Sequence, residues 1–161
     1  MLLNRTIFVR NGEATIDEPI IIYKGDKEIK IEFTIYQTLC KYSAVVNDDL
    51  IKASGSSFAQ LVIKVPKRLP ISEEEPLCTK ITDVPIFSEI VQINKKGELV
   101  LKITKEMIDE FEEIDLYDFQ IRLFDKEKIS RNTLPIVYRG IEYREPIAID
   151  DIGNFPEEGD I

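Results

Sequence analysis

The chain has 161 residues, of which 43% are hydrophobic and 32% charged, a composition typical of one folded domain rather than of a disordered chain. It contains no histidine and only two cysteines, which excludes Ser–His and Cys–His nucleophile pairs and the common histidine-containing zinc sites. A net charge of −9 argues against a nucleic-acid-binding protein, because phosphate contacts need a concentrated basic face. We therefore expect a protein that is not an enzyme, holds no cofactor or metal, and binds no nucleic acid.

Isoleucine occurs 26 times and alanine 5 times, a bias that favours β-strands over helices. Apolar and polar residues alternate over residues 28–35, which predicts a half-buried antiparallel strand with Ile29, Ile31, Phe33 and Ile35 facing the core. The same alternation predicts inward positions in two later strands, which are Ala59, Leu61, Ile63, Val65, Leu99, Leu101 and Ile103. The predicted strands cover residues 6–10, 19–23, 28–35, 59–65, 86–93, 99–104, 117–124, 134–138 and 141–147.

Residue pairs that tolerate positive φ separate many of these strands, and each pair predicts a tight turn. They are Asn11–Gly12, Gly25–Asp26, Lys96–Gly97 and Arg139–Gly140. Two longer segments, 36–57 and 66–85, are predicted to be irregular, the second because its prolines forbid a central strand. Long loops often contact partners. The candidate contact residues in and beside these segments are Tyr36, Tyr42, Lys67 and Arg68.

A helical pattern interrupts the strands over residues 104–113, where Thr104 is suited to cap the first turn. Tyr117 follows and opens a strand two residues before Phe119, which occupies an inward position. Immunoglobulin-like sandwiches place a tyrosine here, the tyrosine corner, whose hydroxyl bonds to backbone upstream. The sequence therefore predicts an all-β fold, an immunoglobulin-like antiparallel β-sandwich over residues 1–147 with one short crossover helix near 104–113.

The end of the chain is acidic. Residues 141–161 hold seven carboxylates and one cation, and residues 148–161 are predicted to form an acidic C-terminal tail outside the sandwich. The candidate partner contacts in this tail are Asp150, Asp151 and Phe155. Other acidic runs, such as Glu73–Glu75, are interpreted as solvated surface. Whether Cys40 and Cys78 pair stays open, although isolated cysteines are more often free thiols.

Four stretches of the chain carry a resemblance to a known family. They are LNRTIFVR, FAQLVIKVP, ITKEMIDEFEEIDLYDFQIRLFD and ISRNTLPIVYRGIEYREPIAIDD. Together they resemble the N-terminal domain of phage baseplate upper proteins and related tail adaptors of Firmicute-infecting phages. The most telling succession is YDFQIRLFD, SRNTLP and GIEYREPIAI. The resemblance implies a β-sandwich that packs against other copies or the tail hub and carries receptor-binding modules, with no catalytic site.

The resemblance implies a virion structural protein of the phage tail, made in the host cytoplasm. The first residues lack the apolar stretch of a signal peptide, and no stretch is long enough for a transmembrane helix, so we expect no membrane insertion. The expected partners are other tail or baseplate proteins and further copies of the chain, with a trimer among the options. Family members often continue into a helical linker, which leaves two alternatives here: the acidic tail is itself a docking peptide, or the chain is a minimal or truncated form.

Two other hypotheses stay open at this point. The first is an immunoglobulin-like carbohydrate-binding module that recognises bacterial surface glycans through segments 36–57 and 66–85. The second is a hydrolase that acts through paired carboxylates, for which one carboxyl group would need an apolar pocket that raises its pKa.

Overall fold

In the computed structural model, residues 2–38, 56–94 and 98–147 are described. This part of the chain is all-β with one short helix, as the sequence predicts. The elements in chain order are β1 (Leu2–Arg10), β2 (Glu13–Ile16), β3 (Ile20–Tyr23), β4 (Glu28–Thr38), β5 (Phe58–Pro70), β6 (Thr79–Phe87), β7 (Val91–Gln92), β8 (Leu99–Thr104), α1 (Lys105–Ile108), β9 (Leu116–Phe124), β10 (Ser130–Thr133) and β11 (Val137–Arg144). The predicted turn at Lys96–Gly97 and the predicted tail 148–161 lie outside the described residues.

The described strands belong to one large mixed sheet. Along its main path the strand order is β6–β5–β9–β11–β2–β1–β4–β8, while β3 pairs with β11, β7 with β5 and β10 with β9. β8, at one end of this order, contacts β5 near the other end. The sheet therefore curls around a common core.

The sheet contains parallel pairs, which corrects the prediction of a wholly antiparallel fold. β1 runs parallel to β4 from Leu2 opposite Lys30 to Arg10 opposite Thr38, and β11 runs parallel to both β2 and β3. β2 and β3 both run opposite to β1, and the turn after Tyr23 reverses the chain again, so β4 returns in the direction of β1. Alternation within one strand does not reveal the direction of its neighbours.

Alternating apolar residues fill the core. The inward positions predicted for β4, β5 and β8 are all buried, which confirms the orientation of these strands. Phe33 of β4 and Phe119 of β9 meet with ring centroids 6.0 Å apart and an interplanar angle of 41°. Strands distant in the sheet order therefore share one core. The buried residues of these three strands are Ile29, Ile31, Phe33, Ile35, Ala59, Leu61, Ile63, Val65, Leu99, Leu101 and Ile103.

The predicted strand 86–93 consists of two strands, because β6 ends at Phe87 and Ser88 follows it. The buried Ser88 hydroxyl accepts a hydrogen bond from the Leu61 N–H at 2.9 Å, and the Ser88 N–H donates to the Leu61 carbonyl at 2.9 Å. These bonds satisfy the β5 backbone where β6 leaves it. The chain then returns as β7, which pairs with Phe58 and Ala59 of β5.

The helix α1 is shorter than the predicted span 104–113. Thr104 caps it, since its hydroxyl accepts a hydrogen bond from the Met107 N–H at 3.4 Å. The N–H groups of Glu110 and Phe111 donate to carbonyl groups three residues back, so the chain tightens and the helix ends. This ending brings Phe111 into the core.

The predicted turn at Arg139–Gly140 is wrong, because both residues lie within β11. Val137 lies opposite Phe119 and Ile141 lies opposite Tyr117, so β11 contains a bulge over this interval. Arg139 has a φ of 57°, which the bulge accommodates without ending the strand. The predicted strands 134–138 and 141–147 are therefore one strand that begins at Val137.

Gly140 gives a direct test of the packing around this bulge. A Cβ atom at Gly140 would lie 2.8 Å from Cδ1 of Phe119 and 2.8 Å from Cγ1 of Val137. Gly140→Ala should therefore lower the free energy of unfolding by about 1–3 kcal/mol, as overpacked cores do. Urea unfolding followed by circular dichroism measures the change. An unchanged midpoint would contradict the close contact between Gly140 and the Phe119 ring.

Candidate interaction surface

The end of β5 and the start of β6 form a two-stranded arm that extends the sheet. β5 pairs with β6 as far as Pro70 opposite Thr79, but with β9 only as far as Ile63. Beyond Ile63, the described chain gives β5 a neighbour on one side only. We call residues 66–83 the arm and residues 72–77 its tip; the other residues of the arm are its shank.

The arm corrects the prediction that residues 66–85 are an irregular loop. Pro66 and Pro70 lie in β5 where this strand has β6 as its partner, and Pro85 lies in β6 at the end of the strand order. Proline lacks an N–H group, which is tolerated on the unpaired side of a strand. The prolines therefore exclude a central strand here, as predicted, but they do not exclude a two-stranded ribbon.

The arm exposes apolar side chains to solvent. Leu77 at the tip is 95% exposed, and Ile81 in the shank is 61% exposed. Leu69 and Ile71 are exposed between them along the arm. Single exposed apolar residues are ordinary on protein surfaces, whereas a group of them on one projecting element marks an interaction site.

The tip of the arm carries negative charge alone, whereas the shank carries both signs. The tip carries the exposed run Glu73–Glu75, and the shank carries the exposed side chains of Arg68, Lys80 and Asp83. Lys67 has a different role, because its ammonium group contacts the Glu110 carboxylate in the turn after α1. Of the two predicted contact residues in this region, Arg68 is exposed and available to a partner. Lys67 instead connects the base of the arm to the turn after α1 through its ion pair.

Tyr117 and Phe119 lie in the core near the base of the arm. The Tyr117 hydroxyl donates a hydrogen bond to the carbonyl of Glu113, four residues upstream. The Tyr117 ring packs on Phe111 with centroids 4.6 Å apart, and Phe111 packs on Tyr143 at 5.2 Å. Burial raises the pKa of both tyrosine hydroxyls. That this hydrogen bond forms the tyrosine corner of an immunoglobulin-like fold stays a prediction.

Tyr36 lies in strand β4 and not in a loop. It stacks on Phe8 of β1 with centroids 6.0 Å apart and an interplanar angle of 22°. Beside this pair, Phe8, Arg10 and Glu13 line a hollow of about 270 Å³ together with neighbouring residues of the β1–β2 hairpin.

The other predicted contact residues, Tyr42, Asp150, Asp151 and Phe155, lie outside the described residues, as does Cys40. Cys78 is an exposed free thiol immediately before β6.

Two further hollows lie on the described surface. One of about 620 Å³ is lined by residues 12–16 and 135–138, and one of about 220 Å³ is lined by Val62, Pro85, Gln120 and Ile136 among others. Across residues 2–38, 56–94 and 98–147, no three potential ligand side chains are grouped to hold a metal ion. No helix in those ranges is long and apolar enough to cross a membrane.

Comparison with known proteins finds similarity in structure and none in sequence. No protein-family model and no curated protein sequence matches the chain. The structure is similar to the N-terminal domain of phage TP901-1 ORF48, with a TM-score of 0.48 and 10% sequence identity. The match covers 89% of this chain and 98% of that chain. At this TM-score and identity, the likeness assigns neither a family nor a function to the chain.

The hydrogen bond of Tyr117 can be tested by removing its hydroxyl. Tyr117→Phe should lower the free energy of unfolding by about 1 kcal/mol, because the Glu113 carbonyl loses its donor while the ring packing is kept. Tyr138→Phe is the matched control, since Tyr138 is 70% exposed and should leave the urea midpoint unchanged. Equal midpoints for both variants and the wild type would reject the stabilising role of the Tyr117 hydroxyl.

Proposed function

We propose that this chain is a non-enzymatic structural component of a phage tail or baseplate, which assembles through protein–protein contacts and supports receptor-binding modules. The observation that carries the proposal is the arm, which presents Leu69, Ile71, Leu77 and Ile81 to solvent on an element outside the core. Apolar groups on a projecting element are stabilised when a partner covers them, because their contact with water ends. An assembly protein uses surface of this kind.

The position of the resembling sequences supports the same proposal. YDFQIRLFD forms β9 and GIEYREP covers the second half of β11, and these strands are neighbours at the centre of the sheet. The resemblance to baseplate upper proteins and tail adaptors therefore concerns the residues that build the core. It supports a virion location and other tail proteins as partners, while the arm supplies a surface for such partners.

Composition supports a structural role over a catalytic one. The absence of histidine from the whole chain removes the most common general base. The acidic run at the arm tip is exposed, and an exposed carboxylate lacks the apolar environment that raises the pKa of a catalytic acid.

The proposal also covers the type of β-fold. We place the chain among immunoglobulin-like β-sandwiches, with the two ends of the curled sheet acting as the two layers. The contact between β8 and β5 and the Phe33–Phe119 pair across the core support two layers. The helix α1 between β8 and β9, followed by the Tyr117 hydrogen bond, supports the immunoglobulin-like connection.

Locating the chain in purified phage particles tests the function. We expect an epitope-tagged chain to label the tail in immunogold electron microscopy. Ile81→Asp, on the arm, should greatly reduce incorporation while the circular dichroism spectrum stays that of the wild type. Ile129→Asp is the matched control: Ile129 is 64% exposed and precedes β10, away from the arm, so incorporation should persist.

Two results would contradict the proposal. One is a folded chain that is absent from particles. The other is specific binding to bacterial surface glycans that is lost on Tyr36→Ala, with no particle association, which would favour the carbohydrate-binding module. The stacked Phe8–Tyr36 pair is the described aromatic surface at which a sugar ring would be sought.

A further inference from the structure

The three hollows on the described surface adjoin one another. The hollow beside Phe8 and the hollow of about 620 Å³ share Glu13 and Thr15, and the latter shares Ile136 with the hollow of about 220 Å³. We call the three together the groove. We propose that the groove binds a neutral oligosaccharide chain. Sugar binding is a further function beside the proposed structural role, and its surface lies outside the arm.

The strand register places one end of the groove on the outer face of the sheet. Phe8 of β1 lies opposite Thr15 of β2, and Arg10 lies opposite Glu13. Opposite residues of paired strands project to the same face, so these four side chains share one surface. The buried residues of β1 and β2 project to the other face, toward the core.

The same face continues across the middle of the groove. Val137 of β11 lies opposite Ala14 of β2, and both residues are buried. Ile136 and Tyr138 precede and follow Val137, so they lie on the outer face. β2 and β11 pair at this position alone, and the hollow of about 620 Å³ lies beside it.

The far end of the groove lies over β9 and β5. Val62 of β5 lies opposite Gln120 of β9, and both line the hollow of about 220 Å³. The groove therefore crosses β1, β2, β11, β9 and β5 in sheet order. Neighbouring strands lie about 4.8 Å apart, so the groove runs for roughly 19 Å along the sheet. This length suits a chain of several sugar units.

The charges of the groove balance. Arg10 and Glu13 line one end, and Lys64 and Asp118 line the other, so the described lining residues carry two cations and two carboxylates. The whole chain has a net charge of −9, which makes a balanced surface a local property. Such a surface favours a neutral ligand. Sugar hydroxyl groups both donate and accept hydrogen bonds, so they use cations and carboxylates alike.

Aromatic rings supply the apolar part of the site. Tyr138 is 70% exposed and lines the middle of the groove. Phe8 lines one end and stacks on Tyr36. The C–H groups of a sugar ring pack against an aromatic ring, while a phenol hydroxyl remains free to form hydrogen bonds. A few polar groups among apolar ones are typical of ligand sites.

A glycan array followed by isothermal titration calorimetry tests the proposal with the full chain. The neutral probes are maltohexaose, cellohexaose, chitohexaose and a rhamnose hexasaccharide, each with its disaccharide, and the anionic probe is hexaguluronate. We expect saturable binding of a neutral hexasaccharide, at least tenfold tighter than of its disaccharide, because a longer chain fills more of the groove. Hexaguluronate should bind more weakly than the neutral hexasaccharide.

Variants locate the binding site. Tyr138→Ala should weaken binding of that hexasaccharide at least tenfold, and its high exposure means that the fold should be kept. Tyr23→Ala is the matched control, since Tyr23 is exposed in β3 and lies outside the groove. It should leave the affinity unchanged. Circular dichroism of both variants establishes that they are folded.

Several outcomes would overturn the inference. They are no binding of any neutral hexasaccharide, equal affinities for the hexasaccharide and its disaccharide, and Tyr138→Ala binding as tightly as the wild type. Cross-linking to another tail protein in particles through Tyr138→benzoylphenylalanine would also overturn it, because the groove would then be a protein contact. A chain that is present in particles but binds no sugar contradicts this inference alone. A chain that binds sugar but is absent from particles contradicts the proposed function alone.

Discussion

The pairing of β5 with different partners along its length determines most of what is described for this protein. Its first half lies between β9 on one side and β7 or β6 on the other, and its inward residues Ala59, Leu61, Ile63 and Val65 are buried. Its second half pairs with β6 and forms the arm. A slip of one residue in β5 would turn its buried residues to solvent, so the core fixes the position of the arm.

The core and the arm are linked through the segment after α1. This segment holds Phe111 against Tyr117 and Tyr143, and it supplies Glu110 to Lys67 at the base of the arm. The ion pair is partly exposed and contributes little stability by itself. The ion pair matters for the position of the arm, because Lys67 lies in the part of β5 that no longer pairs with β9. The structural and the interacting parts of the protein thus meet at this segment.

The sequence predicts the strands with one buried face well, and it predicts their connections poorly. In β4, β5 and β8, alternation shows directly which residues lie in the core. β2 and β10 are only four residues long, and unlike the equally short β3 they contain no run of apolar residues that would identify them. The arm is missed because its apolar residues, such as Leu77 and Ile81, face solvent and its prolines resemble those of a loop. At Arg139–Gly140, the sequence cannot distinguish a bulge from a turn, because both need a residue with positive φ.

The central claim is that the arm is a contact surface and not a solvated hairpin. Hydrogen–deuterium exchange of the chain free in solution and of the chain in purified phage particles measures this at the level of individual segments. The account predicts that the amides of residues 66–83 exchange more slowly in the particle than in the free chain, while those of the turn between β9 and β10 do not change. Exchange in the arm that is equally fast in both samples would contradict the claim.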